Sequence, residues 1–422
     1  MGESVFKNKN YVLMFLGLVV SNLGTHIYNF SIMLYIYDLL VDHPQKATIA
    51  GIYMATGGLV FFFLTPFAGA ITDRLDKVKV VFMTDLINGV AVILAGLAIF
   101  SFDDITVKVM ILFATSIILS FNGALFNPAM SSLPAHILKK EQLQQASSLS
   151  MGMFSLYSIL GAFVGSLIYS NFIIEFIFIF NGLSFLFSGI SEMFITVRTN
   201  GDEPPQINVK QVIKDIGLGV KYVYNLKPIF YLLAMASLLN FFTVPVLANG
   251  LPYLIKVLLE KDPIYLAILQ GTFPVGVIIM SMILMTKVQS ERQSPHIIKG
   301  MLGMATMFVL FVIALELFMR DYVSFTIFIF AISIPLMVIM GIYNGLLNIP
   351  FEVSLRKQVD KEMMGRVFSV TSVISNGLSP IAIALAGVVI TYFGVMYLFY
   401  GAAIAMVLTA IYTAKNKYIA QL

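Results

Sequence analysis

Residues Gly69 to Lys79 read GAITDRLDKVK, and this short charged turn decides the fold. On either side lie strongly apolar stretches, roughly residues 48–68 and 80–100, each longer than the ~18 residues at which an apolar run reads as a membrane-spanning helix. A soluble protein rarely separates two such stretches by so brief a polar interruption. A polytopic membrane protein does so wherever two spanning helices meet at a membrane face.

The same alternation runs outward along the chain. Twelve apolar segments fall at about 11–38, 48–72, 78–100, 106–133, 143–170, 172–197, 229–258, 263–287, 296–318, 322–351, 363–392 and 394–414, each able to cross a hydrocarbon core of ~30 Å as a helix. Of all residues 59% are apolar and 11% charged, with a mean hydropathy of +0.91. Soluble domains carry about 25% charged residues, so this chain cannot coat a water-exposed surface. A transmembrane barrel would show alternating segments of about ten residues, and the sequence has none. The expected class is an all-α membrane protein of twelve transmembrane helices.

With twelve spans both termini share one side, and 21 of the 26 Lys and Arg residues fall there. The positive-inside rule makes that side cytoplasmic. The expected location is a bacterial-type inner or plasma membrane, crossed many times. The net charge of +4 is thereby topology, not a nucleic-acid footprint. The chain has no cysteine, which removes disulfides and thiolate chemistry. Its first apolar segment lacks a small-residue cleavage site after a short apolar core and reads as a retained helix.

The longest polar stretch, Arg198 to Lys227, separates spans six and seven. It opens on TNGDEPP and continues as an amphipathic helix over about 207–224, with Val209, Val212, Ile213, Ile216, Val220 and Val223 at helical spacing. The expected organisation is an N-terminal six-helix bundle over 1–197, a cytoplasmic linker over 198–228 lying against lipid headgroups, and a C-terminal six-helix bundle over 229–422. An internal repeat supports two bundles. Asn122-Gly123 matches Asn344-Gly345, Pro128 matches Pro350, Leu133 matches Leu355 and Gly165 matches Gly387, all at an offset of 222.

The turn that opens this account resembles a motif of the major facilitator superfamily, Gly-x-x-x-Asp-Arg-x-Gly-x-basic-basic. Gly69, Asp73, Arg74 and Lys79 match it, and Asp76 stands at the usual Gly. The wording DRLDKVKVVFMTDL, with FNPAMSSLPAHILKKEQLQQASSL and GVKYVYNLKPIFYLL, resembles its drug:proton antiporter subgroup of macrolide-efflux and enterobactin-exporter-like proteins. The resemblance implies two pseudo-symmetric bundles that rock about a central site. It also implies a conformational gate at Gly69, Asp73, Arg74, Lys77, Lys79 and Asp85. Gly152, Gly161 and Gly165 in the fifth span resemble the start of the antiporter motif, although Ser166 replaces its Pro. Their spacing equally suits close packing against the eighth span.

Polar residues deep in a membrane are costly without partners and mark transport sites. Asn22, His26 and Asn29 share one face of the first span by their i, i+4, i+7 spacing. His26 lies near the midplane of that span, where imidazole suits a proton carrier or a structural hydrogen bond to a neighbouring helix. Asn122, Asn240, Asn344 and Asn376 are amides placed to meet substrate or to join helices. Asp38, Glu175 and Glu316 sit near outer helix ends and read as solvated caps. The expected protein is a monomeric secondary transporter that exports a partly hydrophobic small molecule by proton antiport. Its partners would be the substrate, protons and membrane lipids, with no cofactor, no metal and no nucleic acid. The rivals are a lysophospholipid transporter of the same fold, a transporter-like sensor and a polytopic membrane enzyme. No H-E-x-x-H and no Walker A pattern occurs.

Overall fold

A computed structural model describes residues 4–72, 75–196, 209–285, 292–359 and 363–421. Among them helices carry the whole architecture and no strand occurs. The first six long helices are α1 (Lys9–Leu39), α2 (Lys46–Thr72), α3 (Lys77–Ser101), α4 (Ile105–Ser132), α5 (Lys140–Asn171) and α6 (Ile174–Met193). The linker helix α7 spans Val209–Asn225. Beyond it lie α8 (Lys227–Leu258), α9 (Pro263–Met285), α10 (Ser294–Met319), α11 (Ile334–Gln358), α12 (Met364–Asn376), α13 (Ser379–Phe393) and α14 (Val395–Lys415).

Among the described residues, 11 helices are long and apolar enough to cross a membrane. The twelfth, α5, is apolar only over Leu156–Asn171, because its first half is built from Gln, Ser and charged residues. Helix starts follow local chemistry. Asp76 caps α3, its Oδ1 accepting from the Val78 and Lys79 amides at 3.0 and 3.4 Å, which gives the aspartate at the motif's usual Gly a structural purpose. Asp104 caps α4 in the same way, through the Val107 amide at 3.0 Å.

One span differs from the expected continuous helix. The eleventh breaks into α12 and α13 at Gly377-Leu378, just ahead of Pro380. Proline has no amide hydrogen to continue the ladder. The seventh span is also irregular, with π-helical turns at Val246–Gly250 and Tyr253–Leu258 that follow Pro245 and Pro252.

The chain separates into two compact units. One comprises Met1–Lys46 with Ile52–Val212, the other Ala47–Gly51 with Ile213–Leu422. In the first unit α3 packs on α6 and α4, while α1 packs on α6 and α5. In the second unit α10 packs on α14 and α11, while α8 packs on α14, α12 and α13. These pairings correspond span for span, so the repeat read from Asn, Gly and Pro matches also appears in the packing. In lipid no hydrophobic effect drives helices together, and small residues that permit close approach do that work instead. A Cβ at Gly89 of α3 would lie 2.9 Å from the Gly182 carbonyl of α6, and a Cβ at Gly182 would lie 2.9 Å from that of Gly89. In the second unit Gly276 and Gly341 approach as tightly, a Cβ on either falling within 2.1 Å of the opposite backbone.

Candidate functional site

The second unit encloses a cavity of about 460 Å³ between α8, α10, α11 and α12. That volume lies in the ordinary range of small-molecule sites. Its walls are apolar, with Met235, Leu239, Phe273, Met304, Phe308, Met340 and Phe351 among them. Polar groups converge along one side: Asn240 from α8, Asn344, Asn348 and Glu352 from α11, and Thr371, Ser375 and Asn376 from α12. Glu352 is the charged residue of this lining.

Two local features hold these groups in place. On α11 the four-residue spacing of Asn344, Asn348 and Glu352 sets them one turn apart on a single face. Asn348 Nδ2 donates to both the backbone and the side-chain oxygen of Asn344, at 3.1 and 3.0 Å. On α12 the helix ends at the break, which frees carbonyl groups. Asn240 Nδ2 donates to one of them, Ser375 O, at 3.0 Å and to Asn376 Oδ1 at 3.3 Å. The cavity therefore borders a discontinuous helix, the type of irregular backbone that transporters place beside their substrates.

Of the residues expected from sequence, Asn240, Asn344 and Asn376 meet around this cavity. Asn122 lies elsewhere, buried between α3 and α4, its Nδ2 donating to Asn88 Oδ1 at 2.7 Å. On α1 the Asn22 amide donates back to Leu18 O at 2.8 Å, His26 is half-buried and Asn29 is exposed. The His26 ring sits 6.2 Å from that of Tyr157 on α5. The fifth-span glycines lie against that same part of α1. A Cβ at Gly161 would fall 2.4 Å from His26 Cβ, and one at Gly165 would fall 3.2 Å from Ile27 O. Gly152 is on the same helix, with its surroundings outside the described residues.

The gate residues divide. Asp73 and Arg74 lie outside the described residues, and Gly69 belongs to the last turns of α2. Lys77 is buried in the first turn of α3, Lys79 is exposed, and Asp85 is buried two turns further along. The outer acids carry tyrosine partners: Tyr169 donates to Asp38, and Tyr400 to Glu316, which also accepts from Arg320 Nε at 2.7 Å.

Glu352, Asn348, Thr371 and Ser375 join the site without having been singled out from sequence. A signal for two of them was present, because Asn348 and Glu352 continue the Asn344 stripe at i+4 and i+8. A further cavity, about 640 Å³ along α3 and α4, is lined by Met83, Ile87, Val90, Leu94, Ile111 and Ile118. Its polar group, the Thr115 hydroxyl, is bonded to Ile111 O at 2.7 Å. It offers a ligand nothing to orient on.

Comparison with known proteins identifies the family and the fold. The family model of the Major Facilitator Superfamily matches residues 14–382. An uncharacterized MFS-type transporter of Bacillus subtilis, YkuC, is 25% identical over 432 residues, covering 99% of this chain and 95% of the relative. Macrolide efflux protein A of Streptococcus pyogenes is 24% identical over 395 residues, covering 91% and 90% respectively. Among solved structures, a bacterial homologue of the iron transporter ferroportin superposes with a TM-score of 0.73 at 16% identity, covering 98% of this chain and 99% of that one. This last likeness concerns the fold alone.

Proposed function

The chain belongs to the major facilitator superfamily, and on that premise we propose that it exports a partly hydrophobic small molecule in exchange for protons, by alternating access. The observation that carries this reading is the cavity of the second unit, whose Met and Phe walls suit apolar surface and whose amide stripe fixes orientation. Among the described residues of the lining Glu352 is the charged group. Neutral or cationic cargo fits such a site better than anionic cargo does. The similarity to a macrolide efflux protein supports the outward direction and makes macrolides the first compounds to try.

In this reading the 1–197 and 229–422 bundles move against each other, with the 198–228 linker and both termini on the cytoplasmic side. Asp73, with Arg74, Lys77 and Lys79, holds the cytoplasmic ends together while the protein opens outward. His26 is the first candidate for the proton carrier, since it is half-buried on α1 and titrates near neutrality when unperturbed.

Inverted membrane vesicles test the proposal. Vesicles holding the protein should accumulate erythromycin or tetraphenylphosphonium when an acid-inside gradient is imposed, and should lose them when a protonophore collapses it. Uptake that matches protein-free vesicles for both probes would remove the export reading.

A further inference from the structure

Asp85 on α3 and Glu192 on α6 are the buried acids among the described residues, 2% and 0% exposed. They belong to one pocket. Gly189 of α6 lies against Phe82 and Leu86 of α3, a register that sets Asp85 opposite the last turns of α6. The Ser188 hydroxyl donates to Glu192 Oε1 at 3.2 Å and stands against the Asp85 carboxylate as well. The two carboxylates are close enough to feel each other's charge. Asp85 Oδ2 and Glu192 Oε2 are both out of solvent and have no hydrogen-bond partner.

The third wall is α1, and it is shaped for this pocket. A Cβ at Gly17 would fall 2.9 Å from Ser188 Oγ and 3.3 Å from Glu192 Oε1. A side chain there would take the space that the carboxylate occupies. Neither acid has an ion-pair partner among the described residues. The neighbouring helices bring no close cation. On α3 Lys77 precedes Asp85 by two turns, ~12 Å along the axis. On α1 Lys9, Tyr11 and His26 stand eight, six and nine residues from Gly17, ~12 Å, ~9 Å and ~14 Å away along the axis. Helix α4 faces α3 through Asn122 and has no ionisable residue between Lys108 and its end. On α6 itself the other acid, Glu175, is at the opposite end.

Two carboxylates in a dry pocket without a cation cannot both carry charge. A proton on one of them leaves a single charge in the pocket and converts one acceptor into a donor. We propose that Asp85 and Glu192 hold a proton between them, and that this pair, covered by Gly17, is a proton-binding site of the first unit distinct from His26. The proton exchanges when α1 parts from α6 and admits water. Its use in transport rests on the proton-coupled reading above, whereas its binding does not.

Infrared spectroscopy of the full chain in lipid, titrated from about pH 5 to about pH 9, tests the site with no substrate present. A protonated-carboxyl C=O band should vary with pH in the wild type. Its pH midpoint should fall in Asp85→Asn and in Glu192→Gln, because removing one acid removes the repulsion that the other feels. Ser188→Ala keeps both acids and should shift the frequency of the band without removing it, which covers the case in which an acid variant fails to fold. A band that stays constant across the range, or one whose pH midpoint is unchanged in both acid variants, or one unmoved in Ser188→Ala, overturns the proposal. A second arm separates it from the export reading. Wild-type vesicles that take up neither erythromycin nor tetraphenylphosphonium would refute export while leaving the band intact. If the wild type does accumulate a probe, Glu192→Gln should abolish gradient-driven accumulation and retain counterflow. Undiminished accumulation would refute coupling through the pair.

Discussion

Replacing Glu352 by Gln removes the one charge that lines the cavity among the described residues while keeping the size of the side chain. The side chain is exposed on α11, so the full Coulomb energy of a dry interior does not apply. A hydrogen bond to a charged group is worth about 1.5–3 kcal/mol, and a water-accessible site takes the lower end. At 1.36 kcal/mol per decade that end corresponds to about a tenfold loss of affinity for a cation. An uncharged probe gains nothing from the charge and should bind Glu352→Gln within about twofold of wild type, since surface-type substitutions typically move free energies by no more than ~0.5 kcal/mol. The assay is ligand-induced thermal stabilisation of purified protein, with tetraphenylphosphonium and its uncharged analogue triphenylphosphine oxide titrated in parallel. Equal losses for both probes would mean that Glu352 shapes the cavity and does not select charge. No loss for the cation would remove Glu352 from the site.

Other substitutions probe the remaining assignments. His26→Gln should abolish gradient-driven accumulation and spare counterflow; accumulation at the wild-type level in inverted vesicles would clear His26 of a coupling role. Asn344→Leu deletes the amide that Asn348 bonds at 3.0 Å and adds apolar bulk to the cavity, so affinity for both probes should change by about 5–10-fold, the worth of one hydrogen bond of ~1–1.5 kcal/mol; unchanged titrations would place it outside the site. Gly161→Ala puts a carbon 2.4 Å from His26 Cβ and should cost ~1–3 kcal/mol of overpacking, lowering the thermal midpoint. Gly401→Ala, which meets nothing within 4 Å, is its neutral control. Asp73→Asn should shift spectroscopic distances between labels at the cytoplasmic helix ends toward the inward-open state, and unchanged distances would deny it a gating role.

The spans were legible because membrane crossing imposes a long apolar run that composition alone reveals. The expected 106–133 is observed as Ile105–Ser132, and 394–414 as Val395–Lys415. The break at Gly377-Leu378 was not read, although Gly377 and Pro380 were in view, because apolar character continues across it and spanning helices often tolerate proline. Site residues were harder. Nothing in the sequence separates Asn122, which bonds to Asn88 between helices, from Asn344, which lines a cavity. Both occupy the same place in the repeat. Glu192 was passed over because it stands one residue from the end of its helix, where an acid ordinarily reads as a solvated cap. Only the packing of α6 against α3 and α1 shows that it is sealed from water.

The repeat itself explains how the two units came to carry different chemistry. At the offset of 222 the helix bounds agree closely for spans four and six: Ile105 corresponds to Ile327, and Ile174–Met193 to 396–415 beside the observed Val395–Lys415. Residues that shape backbone are shared, as with Asn122 and Asn344, Pro128 and Pro350, or Gly165 and Gly387. The acids of the two sites are not. Glu192 and Ser188 correspond to Ala414 and Ala410, while Glu352 and Asn348 correspond to Met130 and Phe126. Each replacement is apolar, so neither unit retains a silent copy of the other's site. A symmetric transporter needs the same hinge and packing geometry twice, because both units undergo the same rocking. It has no such need for a second buried acid pair or a second charged cavity, since every charge held in the membrane costs desolvation free energy. Glycine, proline and asparagine therefore mark what the fold requires of both units. The unmatched acids mark the places where one unit alone does chemistry: a sealed proton pair in the first and an open, singly charged cavity in the second.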